Sequence, residues 1–558
     1  MQKDRPLAVF DTRREVDFVI IGSGASGGVL AKQLSTAGFE VVVLEQGPYR
    51  RAKDFSHDEL GVFIQGEMTS HPLWEDRQTF RHTRQEKAVV HSQGPAPALY
   101  ARGVGGSSVH FTANYWRMRP LDFKERSLLG EISGTGFADW PLSYEELEPY
   151  YTRVDWEIGV SGAPGPFDAP RSKPFPVPPL PVKSSGVLLE KGAKKLGLHA
   201  QPAPMAILSK PHNNRPACLH CGFCMGFGCE ANAKSSTLAA MIPLAEATGR
   251  CEIRPLSTVF KIETNQAGRV SEVAYFDAEG APQAQKAKAV IVAANGGETP
   301  RLLLMSESSR HPDGLANGSG LVGKYLMANG HSAAYAFFDE PLNEHKSVQV
   351  TRIIHDFYEN DPQRGFYGGG GIDARAFIQA SPILFAQNGL PPDAPRWGKA
   401  HKDMLRRNFT RRMMLLASTT SLAQESNNIT LDPEHKDGAG RPAMRITYRD
   451  HDDDLAMMKF MQDRSMELLE AAGANTTWRE PVVPETVLAH LLGTCRMGAD
   501  PASSVVDPYH RSHEVPNLFI CDGSSLVTSG RGQPTMTIQA LAFRAAEHIA
   551  GFARRGEI

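Results

Sequence analysis

The 558-residue chain has no apolar run approaching the 18 or so residues needed to cross a bilayer. Its polar start, Met1-Gln2-Lys3-Asp4-Arg5, lacks the apolar segment of a signal peptide, so a soluble protein without an export signal of its own is expected. An excess of charge is missing too. The net charge is −2, with both signs mixed along the chain, which gives no field suited to nucleic acid or to an anionic membrane surface. Cysteine is scarce: seven residues in a chain of this length make no disulfide scaffold. Four of them nevertheless fall between Cys218 and Cys229, a concentration that points to metal chemistry in place of cross-linking.

The length allows a large core spread over more than one domain-sized unit. The clearest organised stretch begins with the apolar run Asp17 to Ile21, passes into Gly22-Ser23-Gly24-Ala25-Ser26-Gly27-Gly28, and continues as a helical pattern from Val29 to Leu34. In such a strand, turn and helix, Gly22 permits the tight turn, Gly24 lets the backbone approach a pyrophosphate, and Gly27 lets helix and strand pack closely. A second apolar strand, Glu40 to Leu44, ends at Glu45, at the spacing of a carboxylate that holds a ribose hydroxyl pair. With strand, helix and acid all in place, a dinucleotide site is expected. A second glycine-rich loop, Ala101 to Phe111, contains Gly105, Gly106, Ser107 and His110; by itself it reads equally as a cofactor loop or as a turn.

Residues 50 to 100 read as surface loops and short helices. Eight prolines between Pro164 and Pro181 exclude helix or central strand there. The stretch from Thr258 to Asn295 reads as strands with turns at Gly268 and Gly280. From 331 to 480 alternating segments, among them Ala333 to Phe338 and Ala443 to Tyr448, suggest a sheet-containing domain inserted before the chain returns. The last strand ends in Cys521-Asp522-Gly523, and Thr535 to Arg554 reads as an amphipathic helix. Gly368 to Gly371 lacks the Lys-Ser/Thr of a phosphate loop and reads as a flexible turn. His451-Asp452-Asp453-Asp454 precedes an apolar helical pattern, where acids are favoured by the helix dipole, and so reads as a helix start and not as a metal cluster.

The thiols of Cys218, Cys221, Cys224 and Cys229 are separated by two, two and four residues, with Gly222, Gly226 and Gly228 free to fold the loop back on itself. That order of spacings suits a loop wrapped round an iron–sulfur cluster better than a pair of zinc knuckles, although zinc remains the alternative.

Taken together, Gly22 to Gly28, Gly103-Val104-Gly105-Gly106-Ser107-Ser108, Asp139-Trp140-Pro141-Leu142-Ser143-Tyr144 and His490-Leu491-Leu492-Gly493-Thr494-Cys495-Arg496-Met497-Gly498 resemble the glucose-methanol-choline (GMC) oxidoreductases over nearly the whole chain. Within that family Arg215-Pro216-Ala217-Cys218 and the cysteines after it resemble the flavoprotein subunits of bacterial gluconate, fructose, glucose and glycoside dehydrogenases. The resemblance implies an α/β fold: a Rossmann-like FAD-binding domain, 1–330 with the iron–sulfur loop at about 210–232, an inserted α+β substrate-binding domain with an antiparallel sheet, 331–480, and a return to the first domain over 481–558. It implies that Gly22, Gly24, Gly27 and Glu45 hold the ADP half of FAD, and that Gly105, Gly106, Ser107, Asp522 and Gly523 surround the pyrophosphate and flavin, with Pro534 and Thr535 in the segment matching the family's Asn-Pro-Thr. His110 stands where some relatives tether the flavin covalently. A 3Fe-4S cluster would use Cys218, Cys224 and Cys229, with Cys221 spare or a fourth ligand.

Oxidising an alcohol needs a base for the hydroxyl proton and an acceptor for the carbon-bound hydrogen. The resemblance places His490 beside the flavin as that base. The expected partner position is occupied by Gln533, which donates an amide hydrogen bond but carries no proton. The implied activity is oxidation of a hydroxyl of a sugar, sugar acid or glycoside, with electrons leaving through the cluster to a small subunit or cytochrome c, at the outer face of the inner membrane or inside the cell. The alternatives are an alcohol oxidase of the same fold that uses oxygen, and a flavin electron-transfer subunit with no substrate of its own.

Overall fold

The computed structural model describes residues 7–91, 96–375 and 382–558. The polar start Met1 to Arg5 lies outside them. Three sheets organise the chain, and the first grows from the strand Val16–Ile21. That strand pairs in parallel with Val41–Leu44 on one side and with the long strand Pro282–Val292 on the other. Cys251–Arg254 extends the sheet beyond Val41–Leu44, and Leu518–Ile520 also joins Pro282–Val292 in parallel. Val16, Phe18, Val19, Ile20 and Val41 to Val43 are fully buried, as expected of parallel strands covered on both faces. Burying each such side chain contributes roughly 1.5–3 kcal/mol, so this cluster dominates the core. Thr258–Thr264, Val270–Phe276 and Pro282–Val292 form an antiparallel meander with turns at Gly268 and Gly280, as expected.

The second sheet is antiparallel with six strands. In spatial order these are Thr476–Arg479, His331–Phe337, Arg412–Thr419, Gly370–Arg375, Val350–Ile354 and Ala200–Pro202. Its period of two sorts the faces. Ala334, Ala336, Met413, Leu415, Ala417, Ile372 and Ala374 pack against Met457, Met461, Leu468 and Leu469 of the helix Asp452–Ala472. The opposite face carries His331, Ser418, Gly371, Asp373 and Arg375. The α/β reading with an antiparallel second sheet therefore holds.

Three details depart from expectation. Gly370 and Gly371 open a buried strand in place of a flexible turn, because a side chain on Gly370 would press to within 2.1 Å of the Ser418 carbonyl across the ladder. Gln78–Arg81 is a strand with Gln78, Thr79 and Phe80 buried, inside the stretch expected to be loops. The strand Pro442–Thr447 pairs with Gln78–Arg81 and Asn428–Lys436 in a third, four-stranded sheet, away from Ala333 to Phe338. His451 caps the helix Asp452–Ala472 by accepting from the Asp453 N–H, which confirms the helix-start reading.

Candidate active site

The two glycine loops lie against each other. A Cβ on Gly22 would stand 2.5 Å from the Ala293 carbonyl, and one on Gly27 only 2.0 Å from the Gly22 carbonyl, so the first helix seats on its strand through bare backbone. Gly24 differs: the nearest atom to a Cβ there is Gly106 Cα at 3.9 Å, which leaves its backbone open to a ligand. Glu45 is buried between the loops. It accepts from Ser23 N (3.1 Å), Ser23 Oγ (2.7 Å), Gly47 N (3.0 Å) and Gly103 N (3.3 Å), while Ser23 Oγ accepts from Gly105 N (3.0 Å). Burial pushes its carboxyl up and those bonds oppose the push. Glu45 thus staples the loops together, and a ribose would take over some of these bonds. Ser107 Oγ accepts from Ala101 N at 3.0 Å.

Asp522 is buried and accepts from Asn295 N (3.0 Å), Thr299 Oγ1 (2.6 Å) and Ser524 N (2.8 Å). Its neighbour Gly523 has no room for a Cβ, which would meet the Leu491 carbonyl at 2.7 Å. The C-terminal helix Thr535–Arg554 starts beyond Pro534 with no acid in its first turn, so its free N–H groups and positive dipole end stay unneutralised. Gln533, Pro534, Thr537 and Trp116 line a small crevice there, with room for about one water molecule. Trp116 Nε1 and His110 Nε2 are both buried without a partner among the described residues. Burial, then Lys234, pushes His110 down to about 4. Open glycine backbone, orphaned ring nitrogens and a helix N-terminus fit a flavin dinucleotide laid along the two loops.

His490 is partly exposed, and its Nδ1 meets Asn329 Oδ1 at 3.0 Å. The Asn329 amide nitrogen faces the carbonyls of Thr419 (2.9 Å), Ser529 (3.3 Å) and Gly530 (3.2 Å), so its oxygen must be the acceptor. His490 therefore carries its proton on Nδ1 and keeps a lone pair on Nε2. Burial, then the Arg375 charge, pushes the ring down to about 4, which leaves it neutral at working pH. His331 lies 5.6 Å away, centroid to centroid, and is pushed down to about 3 by burial, His490 and Arg375. Gln533 Nε2 donates to Ser418 Oγ at 3.3 Å. Since His331 and Ser418 are directly paired across neighbouring strands, His490 and Gln533 contact adjacent positions on the polar face of one sheet. The structure brings these two expected residues together.

It does not gather the cysteines in the same way. Cys224 is buried and its thiol is pushed up to about 12 by burial, Cys218 and Cys229 are half-buried, and Cys221 is exposed. His220 N donates to Cys218 Sγ (3.3 Å) and Lys234 N to Cys229 Sγ (3.5 Å). Among the described residues no three His, Cys, Asp or Glu side chains form a group that could hold a metal ion. A Cβ on Gly222 would stand 2.2 Å from the His345 carbonyl and one on Gly228 2.1 Å from the Phe55 ring, so the loop packs against its surroundings through bare backbone, with Cys221 exposed. Cys224 feels the charge of the other three thiols and Cys218 that of Cys221 and Cys229, so the four donors share one neighbourhood and suit an iron–sulfur cluster in kind. The loop does reach the glycine loops, because Gly226 N donates to the His110 carbonyl at 2.7 Å, and the buried Lys234 Nζ donates to Cys224 O (2.6 Å), Phe227 O (2.7 Å) and Phe111 O (3.2 Å).

Asn329, His331, Ser418 and Lys234 escape sequence reading. Each acts through a partner distant in the chain, and only the adjacency of Asn329, Gly330 and His331 gives a local signal.

A family model described as GMC oxidoreductase matches residues 16–328, and a second of the same description matches 423–542. The chain is 35% identical over 540 residues to the 2-methyl-1,2-propanediol dehydrogenase of Mycolicibacterium austroafricanum, covering 96% of this chain and 95% of that one. It is 30% identical over 561 residues to the fructose dehydrogenase large subunit of Gluconobacter japonicus, covering 97% and 98%. Among solved structures, a formate oxidase of Aspergillus oryzae superposes with a TM-score of 0.67 at 15% identity, over 98% of this chain and all of the other, a likeness of fold.

Proposed function

The chain belongs to the GMC oxidoreductases, FAD-dependent enzymes that act on CH–OH groups, and from that premise we propose that it oxidises a hydroxyl of a sugar, sugar acid, glycoside or related polyol to a carbonyl. The observation that carries this reading is the His490 tautomer: Asn329 holds the proton on Nδ1, leaving Nε2 as an acceptor beside the polar face of the six-stranded sheet. Two relatives named for a diol and for fructose support a polyhydroxylated substrate.

In this reading the bound FAD supplies the acceptor for the carbon-bound hydrogen. Gly22, Gly24, Gly27, Glu45, Gly105, Gly106, Ser107, His110, Asp522, Gly523, Pro534 and Thr535 are the residues that would hold it. His490 Nε2 accepts the hydroxyl proton, and the low basicity of the ring keeps it in the accepting form. Gln533 Nε2 donates to the substrate oxygen and orients it. The division at 1–330, 331–480 and 481–558 is part of the same proposal.

For electron exit, Cys218, Cys224 and Cys229, with Cys221 as a possible fourth, are proposed to ligate an iron–sulfur cluster that serves a small subunit or cytochrome. Their support is donor chemistry, the charge coupling among the four thiols and the contact of the loop with the His110 carbonyl. The test is anaerobic purification with visible and electron-spin-resonance spectra and iron and sulfide analysis, then a screen of D-fructose, gluconate and 1,2-propanediol with a dye acceptor and with oxygen. Yellow protein that reduces dye with a polyol supports the dehydrogenase. Rapid oxygen consumption without iron selects the oxidase, and yellow protein inert to every polyol rejects the reading.

A further inference from the structure

The loop Ser529 to Gln533 carries Gln533 at its end, yet its own backbone gives it little reason to hold one shape. Gly530 and Gly532 adopt φ of +63° and +136°, regions open to glycine, and among the described residues the Gln533 amide has the 3.3 Å bond to Ser418 alone. The Ser529 hydroxyl ties the start of the loop to Ser421, accepting from its N–H (2.8 Å) and facing its carbonyl (3.2 Å), and two further side chains fix the rest. Asn329, which is 1% exposed, donates to the carbonyls of Ser529 and Gly530 with the same amide whose oxygen takes the His490 proton. Arg531, also buried, donates Nε to Asp122 Oδ1 (2.9 Å), Nη1 to the Tyr358 carbonyl (2.7 Å) and Nη2 to Glu125. The two carboxylates are themselves held, Asp122 by Tyr358 OH (2.6 Å) and Glu125 by Tyr367 OH (2.5 Å).

We propose that Asn329 and Arg531 form a single polar brace that sets the distance between His490 and Gln533, as positioning residues that touch no substrate themselves. The inference rests on the reading of His490 and Gln533 as the proton acceptor and the orienting amide. Asn329 joins the base directly to the loop that carries the amide. Arg531 pins that loop to the segment Asp122–Glu125 and to the turn after the strand Val350–Ile354, so both sides of the reacting hydroxyl are referred to one set of bonds. A brace of this kind matters because a misplacement of about 1 Å costs on the order of 10²-fold in rate.

The test uses flavin-loaded protein, with the fastest polyol of the panel D-fructose, gluconate and 1,2-propanediol as substrate and a dye acceptor. Asn329→Leu and Arg531→Met are expected to lower kcat by about 10²-fold with KM within a few-fold, and Arg531→Lys to recover part of the loss. The double variant should be no worse than the poorer single variant, because the two residues serve one geometry. Asn329→Asp adds a readout that a purely structural role would not move: a carboxylate on Nδ1 raises the basicity of His490, so the acid limb of kcat/KM shifts upward by about one pH unit or more, with His331 and Arg375, the other groups facing the ring, unchanged. If Arg531→Met does not fold, Arg531→Lys and the Asn329 variants decide. Loaded Asn329→Leu and Arg531→Lys with kcat within two-fold of the parent, or an unmoved acid limb in Asn329→Asp, overturn the brace. A fully active His490→Ala overturns the underlying reading first; an inactive His490→Ala beside active brace variants overturns the brace alone.

Discussion

The surroundings of His490 and the cysteine loop solve the problem of placement in opposite ways. His490 is set by a side chain that is itself fixed, since the Asn329 amide makes three further bonds to main-chain carbonyls. The thiols are set by loop backbone: two receive N–H contacts of 3.3 and 3.5 Å, and one faces solvent. The first arrangement is complete within the protein and gives a ring of defined tautomer. The second supplies suitable donors in one neighbourhood, held by longer contacts. A loop side chain whose partner is itself bonded to main chain therefore makes a preorganised site, whereas thiols held only by their own loop keep more freedom.

The sharpest way to break this contrast is to remove the ring. His490→Ala should lower kcat by about two to four orders of magnitude, the span usual for a positioned general base, while the protein stays yellow. Stopped-flow reduction by the best polyol checks it, and an unchanged rate would dissolve the distinction between the regions.

The glycine loops come next. Gly27→Ala drives a Cβ to 2.0 Å from the Gly22 carbonyl, so the helix must lift from its strand. We expect a loss of about 1–3 kcal/mol of stability together with loss of bound flavin. Gly24→Ala, with open space before it, should fold normally and lose only flavin affinity. Chemical denaturation and flavin absorbance separate the two effects, and equal behaviour of the two variants would remove the case for a backbone-lined cradle.

Acid should strain the histidine side more than the thiol side. Burial lowers His71 and His331 to about 3 and His110, His490 and His510 to about 4. Below the ordinary histidine value of about 6.5 the unfolded chain binds these protons and the folded chain does not, so stability falls as pH drops from about 6.5 toward 4. Glu125 and Glu485, raised to about 7 by burial, act in the opposite sense over the same range. His345, His355 and His548 are lowered as well, and Glu45, Glu246, Asp450, Asp454 and Asp522 are raised, so eight rings oppose seven acids and the midpoint of urea unfolding should decline only slightly through that window. A flat or rising midpoint would mean that these rings are more accessible to solvent than their packing indicates.

How much of this was legible in the sequence follows from the range of each interaction. The strand, glycine turn and helix from Val16 to Thr36 are written locally, and they were readable because each requirement falls on consecutive residues. His490 and Gln533 were readable only through family resemblance, since their meeting depends on the pairing of His331 with Ser418, 87 positions later in the chain. Arg531 left no trace and Asn329 only its adjacency to Gly330 and His331, because a buried amide and a buried guanidinium look in sequence like any surface polar residue. The four cysteines show the converse: close spacing advertises a cluster, while contacts with His345 and Phe55, far along the chain, decide where the loop lies.

The smallest expected effect sharpens the comparison furthest. Cys221 is exposed and has no described role in packing, so Cys221→Ser should change stability by no more than about 0.5 kcal/mol, as for an ordinary surface substitution. Cys224 is buried beneath the Lys234 ammonium, and Cys224→Ser places a hydroxyl where burial favours a neutral thiol. If three thiols suffice, Cys221→Ser keeps the iron content and the spin-resonance signal of the parent, whereas Cys224→Ser loses both. If Cys221→Ser also loses its iron, the exposed thiol must swing inward to ligate, and the loop closes around metal in a way that His490, already fixed by Asn329, never needs.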